Sequence, residues 1–201
     1  MKYFLLSSTR LIAAAAALTL AASVNAQSRP SDNNASRYTA GSSYIDLGVG
    51  QSDFSLGNGI GVFGSDQGDR SYSVRYGRYF SDVWGMEAGY TDFGSISRAG
   101  GRTKADGINI SLLGKMPLST AFNILGKIGT TYSRTDVSSN PASGIVAGSQ
   151  NGYKLSYGLG VEYIFTTNMS AVLQYETHDM KFAGDRNDRV GATTLSARYN
   201  F

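Results

Sequence analysis

The chain has 201 residues, with 18 Lys and Arg against 15 Asp and Glu, one histidine, no cysteine, and 25 glycines, 13 tyrosines and 9 phenylalanines beside 3 prolines. The lack of cysteine excludes a disulfide framework, a thiolate metal site, a cysteine nucleophile and a lipidated cysteine anchor. The formal net charge of +3 falls to about +1 once the leader described next is set aside, so no nucleic-acid partner is expected.

Lys2 and Arg10 precede an apolar run over residues 11–22, which leads into Val24-Asn25-Ala26. That is the pattern of a secretory signal peptide cut before Gln27. The run is shorter than the roughly 20 residues a spanning helix needs, and no other stretch of the chain approaches that length. Residues 1–26 are therefore read as a signal peptide, 27–41 as a polar flexible segment, and 42–201 as one folded domain.

From residue 44 onward, alternation of apolar and polar side chains with period two recurs eight times, over 44–52, 71–80, 83–92, 103–116, 121–134, 153–165, 169–178 and 190–201. It is clearest in the sixth stretch. Tyr153, Leu155, Tyr157, Leu159, Val161, Tyr163 and Phe165 fall on one face there, and Lys154, Ser156, Gly158, Gly160, Glu162 and Ile164 on the other. Such a period is that of a β-strand.

The connections alternate in length. Short ones lie at Ser81-Asp82, 117–120 and 166–168, and long ones rich in Gly, Ser, Asn and Asp lie at 53–70, 93–102, 135–152 and 179–189. All the long connections thus fall at one end, as in an up-and-down antiparallel barrel with short periplasmic turns and longer extracellular loops. Gly59, Gly61 and Gly64 in the first long loop spell G-x-G-x-x-G, but Ser65-Asp66-Gln67-Gly68-Asp69 follows where a dinucleotide site needs a helix, so the stretch is read as loop. His178 has no serine partner nearby in sequence and is expected to be solvated or at the membrane interface rather than catalytic. The pairs Asp66/Asp69 and Asp185/Asp188 read as solvated loop charges.

Alternation alone does not say which face is wet. The charged residues on the polar face are sparse and separated by Gly and Ser, which suits a narrow interior filled with polar side chains. The apolar face is then turned to lipid, with Phe80, Trp84, Tyr90, Phe165, Tyr175, Tyr199 and Phe201 forming interfacial girdles. Strand parity places Asp46, Arg75, Glu87, Lys115, Lys127, Lys154, Glu162, Glu176 and Arg198 inside, five cations against four anions. Buried charges persist only when paired and hydrogen-bonded, so these residues are expected to form a mutual network that plugs the barrel.

The stretches WGMEAGY (84–90), YGLGVEYIFTTNMSAVLQYE (157–176) and LSARYNF (195–201) resemble the OmpA-like eight-stranded outer-membrane barrels, and the resemblance spans about residues 44–201. It implies residence in the Gram-negative outer membrane, with lipid and lipopolysaccharide as surroundings. It also implies that the terminal aromatics Tyr199 and Phe201 are read by the barrel-insertion machinery during assembly. In the family, interior ion pairs block or gate a small pore. Glu87 and Glu162 match its acidic positions on strands three and six, and Lys127 a cation on strand five. The lysine of strand four falls at Leu113, with Lys115 one inward position away, and the arginine of strand seven at Val172, so the family's gating pair is incomplete in this chain. The given sequence ends at Phe201, and a barrel without a peptidoglycan-binding domain is expected.

No cofactor, metal site or enzymatic activity is expected. Three functions stay open at this point: a structural component serving envelope integrity, a small-solute pore, and a surface adhesin acting on a host or environmental ligand through the long loops.

Overall fold

A computed structural model describes residues 40–56, 67–98, 100–183 and 187–201. Residues 1–26, read from sequence as a leader, the segment up to residue 39 and the Gly59/Gly61/Gly64 motif lie outside the described residues. The rest forms eight strands: β1 Ser43–Phe54, β2 Gly68–Tyr79, β3 Trp84–Arg98, β4 Gly101–Pro117, β5 Phe122–Val137, β6 Gly148–Ile164, β7 Met169–Lys181 and β8 Asn187–Asn200. Each pairs antiparallel with its neighbours in sequence, and β8 returns to β1 to close the barrel. At the seam, Ser43 and Phe201 exchange backbone hydrogen bonds of 2.9 and 2.8 Å. Closure leaves no edge in the barrel wall, which is the condition for crossing a bilayer with strands.

The outward face carries what a water-soluble protein would bury. Leu47, Val49, Met86, Ile108, Ile110, Leu112, Ile128, Leu155, Leu159, Val161, Leu173 and Leu195 are all exposed and form a belt. A continuous apolar surface of this kind marks contact with lipid. The girdle residues expected from sequence all point outward, including Trp84 at 48% and Tyr175 at 55% exposure. Aromatic partners on adjacent strands reinforce them: Phe122 packs on Tyr163 with ring centroids 4.9 Å apart, and Tyr132 on Tyr153 at 4.8 Å.

The strands run further than the alternation indicated. Residues 93–98 and 101–102, expected as loop, extend the β3–β4 hairpin, and β6 begins at Gly148. Above the apolar belt the outward positions become polar, as at Arg102, Lys104, Arg134 and Asp136, so the apolar–polar contrast that reveals a strand disappears. A β-bulge adds to the concealment. The β3–β4 register shifts between Asp92 and Ser95, around Gly94 with φ 77°, and the inward face moves from Glu87, Thr91 and Phe93 to Ile96 and Arg98. One extra residue reverses strand parity.

A cation placed in the belt reports on this orientation. Leu112→Arg is expected to cost about 2–4 kcal/mol if residue 112 lies near the hydrocarbon midplane. Equilibrium denaturant unfolding in lipid vesicles checks it, and an unchanged midpoint would contradict a lipid-facing wall.

Candidate functional site: the sealed polar interior

The inside of the barrel is layered. At the end bearing the short turns, Tyr44, Tyr79, Leu113, Leu125, Ile164 and Val172 form a buried apolar cluster. At the other end, Phe54, Phe93, Ile96, Val137, Met180, Phe182 and Val190 belong to a larger one, with Ile145 of the β5–β6 loop packed against it. The polar side chains occupy the space between. Two positions where the family resemblance places gating cations, Leu113 and Val172, are thus part of the lower apolar seal.

Seven of the nine interior charges expected from sequence meet in one connected set. Arg75 pairs with Asp46 at 3.4 Å and with Glu176 at 3.8 Å, and Lys127 bridges Glu176 at 3.5 Å and Glu87 at 2.6 Å. Arg198 closes the circuit, at 3.8 Å from Glu87 and 3.2 Å from Asp46, and also holds Glu162 at 3.5 Å. The result is a ring of alternating sign, Asp46–Arg75–Glu176–Lys127–Glu87–Arg198, with Glu162 attached to Arg198. Its members come from β1, β2, β3, β5, β7 and β8, with Glu162 from β6, so one network ties seven of the eight strands.

Neutral groups complete the shell around these charges. Tyr44 donates its hydroxyl to Glu87 at 2.6 Å, and its ring lies 3.8 Å from the Arg198 guanidinium carbon. Asn123 and Ser170 donate to Glu162, each at 2.7 Å. Gln174 accepts from Lys127 at 3.0 Å and donates to Glu176 at 2.6 Å, and Arg75 donates to Ser73 at 2.6 Å and Thr194 at 3.1 Å. Small residues make the room: a Cβ on Gly77 would stand 2.1 Å from Cζ of the Tyr44 ring, and one on Gly48 would meet the Ser73 and Ser196 hydroxyls. Such a filled lumen is what eight strands enclose.

Of the other two expected charges, Lys115 is buried with its ammonium 4.6 Å from the centroid of Tyr79, while Lys154 is only half-buried and joins none of these ion pairs among the described residues. Lys154 lies at the end of β6 that extends past the barrel wall, where inward parity no longer means enclosure. His178 departs from expectation too. It is 1% exposed, shares a 2.8 Å hydrogen bond with Thr131, and packs edge-on to Phe93 at 4.9 Å, so it belongs to the interior and not to the girdle or solvent. Parity predicts this position, since Glu176 and His178 share a face. Tyr44, Asn123 and Gln174 also follow from parity, whereas buried Arg98, bonded to Thr103 at 3.0 Å, is hidden from it by the bulge.

Tyr199 and Phe201 sit on the outward face of the last strand end, rings 6.3 Å apart. Solved structures of similar fold include Ail, the attachment invasion locus protein of Yersinia pestis, at 22% identity and TM-score 0.55, with 81% of this chain and 100% of that one covered. OprG from Pseudomonas aeruginosa aligns at 17% identity and TM-score 0.58, covering 84% and 99%, and Neisserial surface protein A at 16% and 0.60, covering 80% and 99%. Among curated proteins, none matches by sequence. The family model for the outer membrane protein beta-barrel domain matches residues 13–201, and the chain therefore belongs to that family of Gram-negative outer-membrane barrels.

Proposed function

We propose that this protein is a structural component of the outer membrane, a closed stave that contributes envelope integrity and conducts little or nothing. The observation that supports this reading is the stacking of two apolar seals around a ring in which the charges neutralise one another. A conducting path would have to part both seals and break several buried ion pairs, each costly to separate in a low dielectric. The leader at 1–26 would deliver the chain to the periplasm, and the outward Phe201 would remain available to the insertion machinery.

A second reading, surface binding, is favoured by the way the wall ends above the belt. The β6–β7 ladder stops at Ser156 and His178, although β6 starts eight residues earlier. Among the described residues, 148–155 pair with β5 alone, while the end of β7 turns inward, with Thr135 donating to the Lys181 carbonyl at 2.5 Å. The opposite edge of the same projecting sheet, on β3, is occupied: Ser95 N–H donates to Asp69 at 2.7 Å and the Phe93 carbonyl accepts from Ser52 at 2.5 Å. An edge whose ladder positions are unpaired among the described residues, and which carries neither proline nor bulge, is suited to adding an extended strand from a partner. Charging it with Ser149→Lys and Asn151→Lys is expected to abolish adhesion of displaying cells to immobilised surface proteins. Adhesion equal to that of the unaltered protein would remove this reading.

For the first reading, planar-bilayer recording of the refolded protein is expected to show no stable large open state, and one would overturn it. Lys127→Met should lower stability by about 3–5 kcal/mol because Glu87 and Glu176 lose their shared cation. Adding Glu87→Gln should recover part of that loss in vesicle unfolding; no recovery would argue against the pairing.

A further inference from the structure

The projecting part of β6 differs in chemistry between its two faces. Thr130 donates to the Lys154 carbonyl at 3.1 Å and Thr135 to the Gln150 carbonyl at 3.4 Å, so the even-numbered residues turn their backbone groups toward β5. In an antiparallel ladder, successive residues alternate the side on which they bond. Ser149, Asn151 and Tyr153 therefore direct N–H and C=O away from β5, to the side where the β7 ladder has ended at His178. Their side chains stand on the outer face, and those of Gln150 and Lys154 on the inner one.

That inner face is cationic. Lys154 is half-buried there, and the bent end of β7 brings a second, exposed lysine. The aliphatic stem of Lys181 passes beneath Gly152, its Cδ 3.8 Å from where a Cβ on that glycine would stand. Neither lysine joins an ion pair among the described residues. Nearby acids are already held: Asp136, on the outer face, accepts from Ser149 and lies 3.6 Å from Arg134, and Asp179 pairs with Arg189 at 3.4 Å. An antiparallel strand added to the edge would set its inward side chains opposite Gln150, Gly152 and Lys154, in the closely spaced pairs without hydrogen bonds. Having no side chain, Gly152 leaves room there for a carboxylate between Lys154 and Lys181.

We infer that this edge takes an extended acidic segment of a partner protein, added as a strand with its carboxylates on the inner face. The inference rests on the surface-binding reading above and names the chemistry of the partner. Carboxylates at alternate positions meet both lysines while the backbone between them meets the free groups of residues 149, 151 and 153. A sulfated polysaccharide carries the charge but has no backbone amides to extend the ladder. A second copy of this chain, paired through Gly152, would bring Lys181 against Lys181. The carboxylates face away from the outer side chains of residues 149 and 151, so cations placed at those positions do not recruit them.

The test titrates the refolded protein in phosphatidylcholine vesicles with a labelled peptide alternating threonine and glutamate, and with its glutamine counterpart. Wild type should bind the glutamate peptide about tenfold more tightly. Lys154→Glu/Lys181→Glu should reverse the preference, binding a threonine–lysine peptide over the glutamate one, a gain that misfolding cannot produce. N-methylation of the glutamate peptide along its backbone should abolish binding. Equal affinity of the wild type for the glutamate and glutamine peptides overturns the acidic partner, and undiminished binding of the N-methylated peptide overturns strand addition. Vesicle clustering without peptide that Asn151→Lys disperses would assign the edge to a second copy and overturn the proposal. The surface-binding reading fails separately: adhesion that survives Ser149→Lys and Asn151→Lys removes it, whereas lost adhesion together with equal peptide affinities removes only the acidic partner.

Discussion

An eight-stranded barrel encloses a lumen too narrow for bulk water and too polar at its middle to be packed as an apolar core, so every charge inside it must find its counter-charge among the others. Most of this structure follows from that constraint. The six-membered ring of alternating sign satisfies it by circulation: each of Arg75, Lys127 and Arg198 touches two carboxylates of the ring, and each of Asp46, Glu87 and Glu176 touches two cations. No member can be removed without leaving two neighbours short of a partner. Such a network is weak evidence of stability relative to an apolar core, but it demands one arrangement of the strands.

That demand reaches the sequence through side-chain size as much as through charge. Tyr44 delivers its hydroxyl to Glu87 and its ring to Arg198 because Gly77 on the adjacent strand leaves space for it. The apolar seals act in the same direction. By surrounding the ring with buried apolar side chains on both sides they lower the dielectric around it, which strengthens the pairs that exist and raises the cost of any that open. The upper seal draws on residues beyond the membrane belt, such as Phe182 and Ile145, so the projecting parts of the strands also close the lumen.

Strand number, closure and the identity of most interior residues were legible because lipid outside and polar packing inside impose opposite requirements on successive positions. The reading weakened wherever one of those requirements lapsed. Above the belt, water lies outside, Arg102 and Lys104 face it, and residues 93–98 lost their visible alternation. At Gly94 a single inserted residue reversed parity and hid the buried Arg98. Lys154 carried the correct parity but lies where β6 has left the closed wall. His178 was misjudged for a different reason, its place near an expected loop having outweighed its parity with Glu176.

The central claim is that water does not pass along the interior. The chain has no cysteine, so single cysteines can be placed at Ser111 and Ser196, which are inward and 3% exposed, and at exposed Ser149 as a control. Reaction of each with a small charged, membrane-impermeant thiol reagent in lipid vesicles measures access directly. The sealed interior predicts rapid labelling at residue 149 and protection at 111 and 196 until the barrel is unfolded. Labelling of the two inward positions at rates comparable to the control, in the folded state, would contradict it.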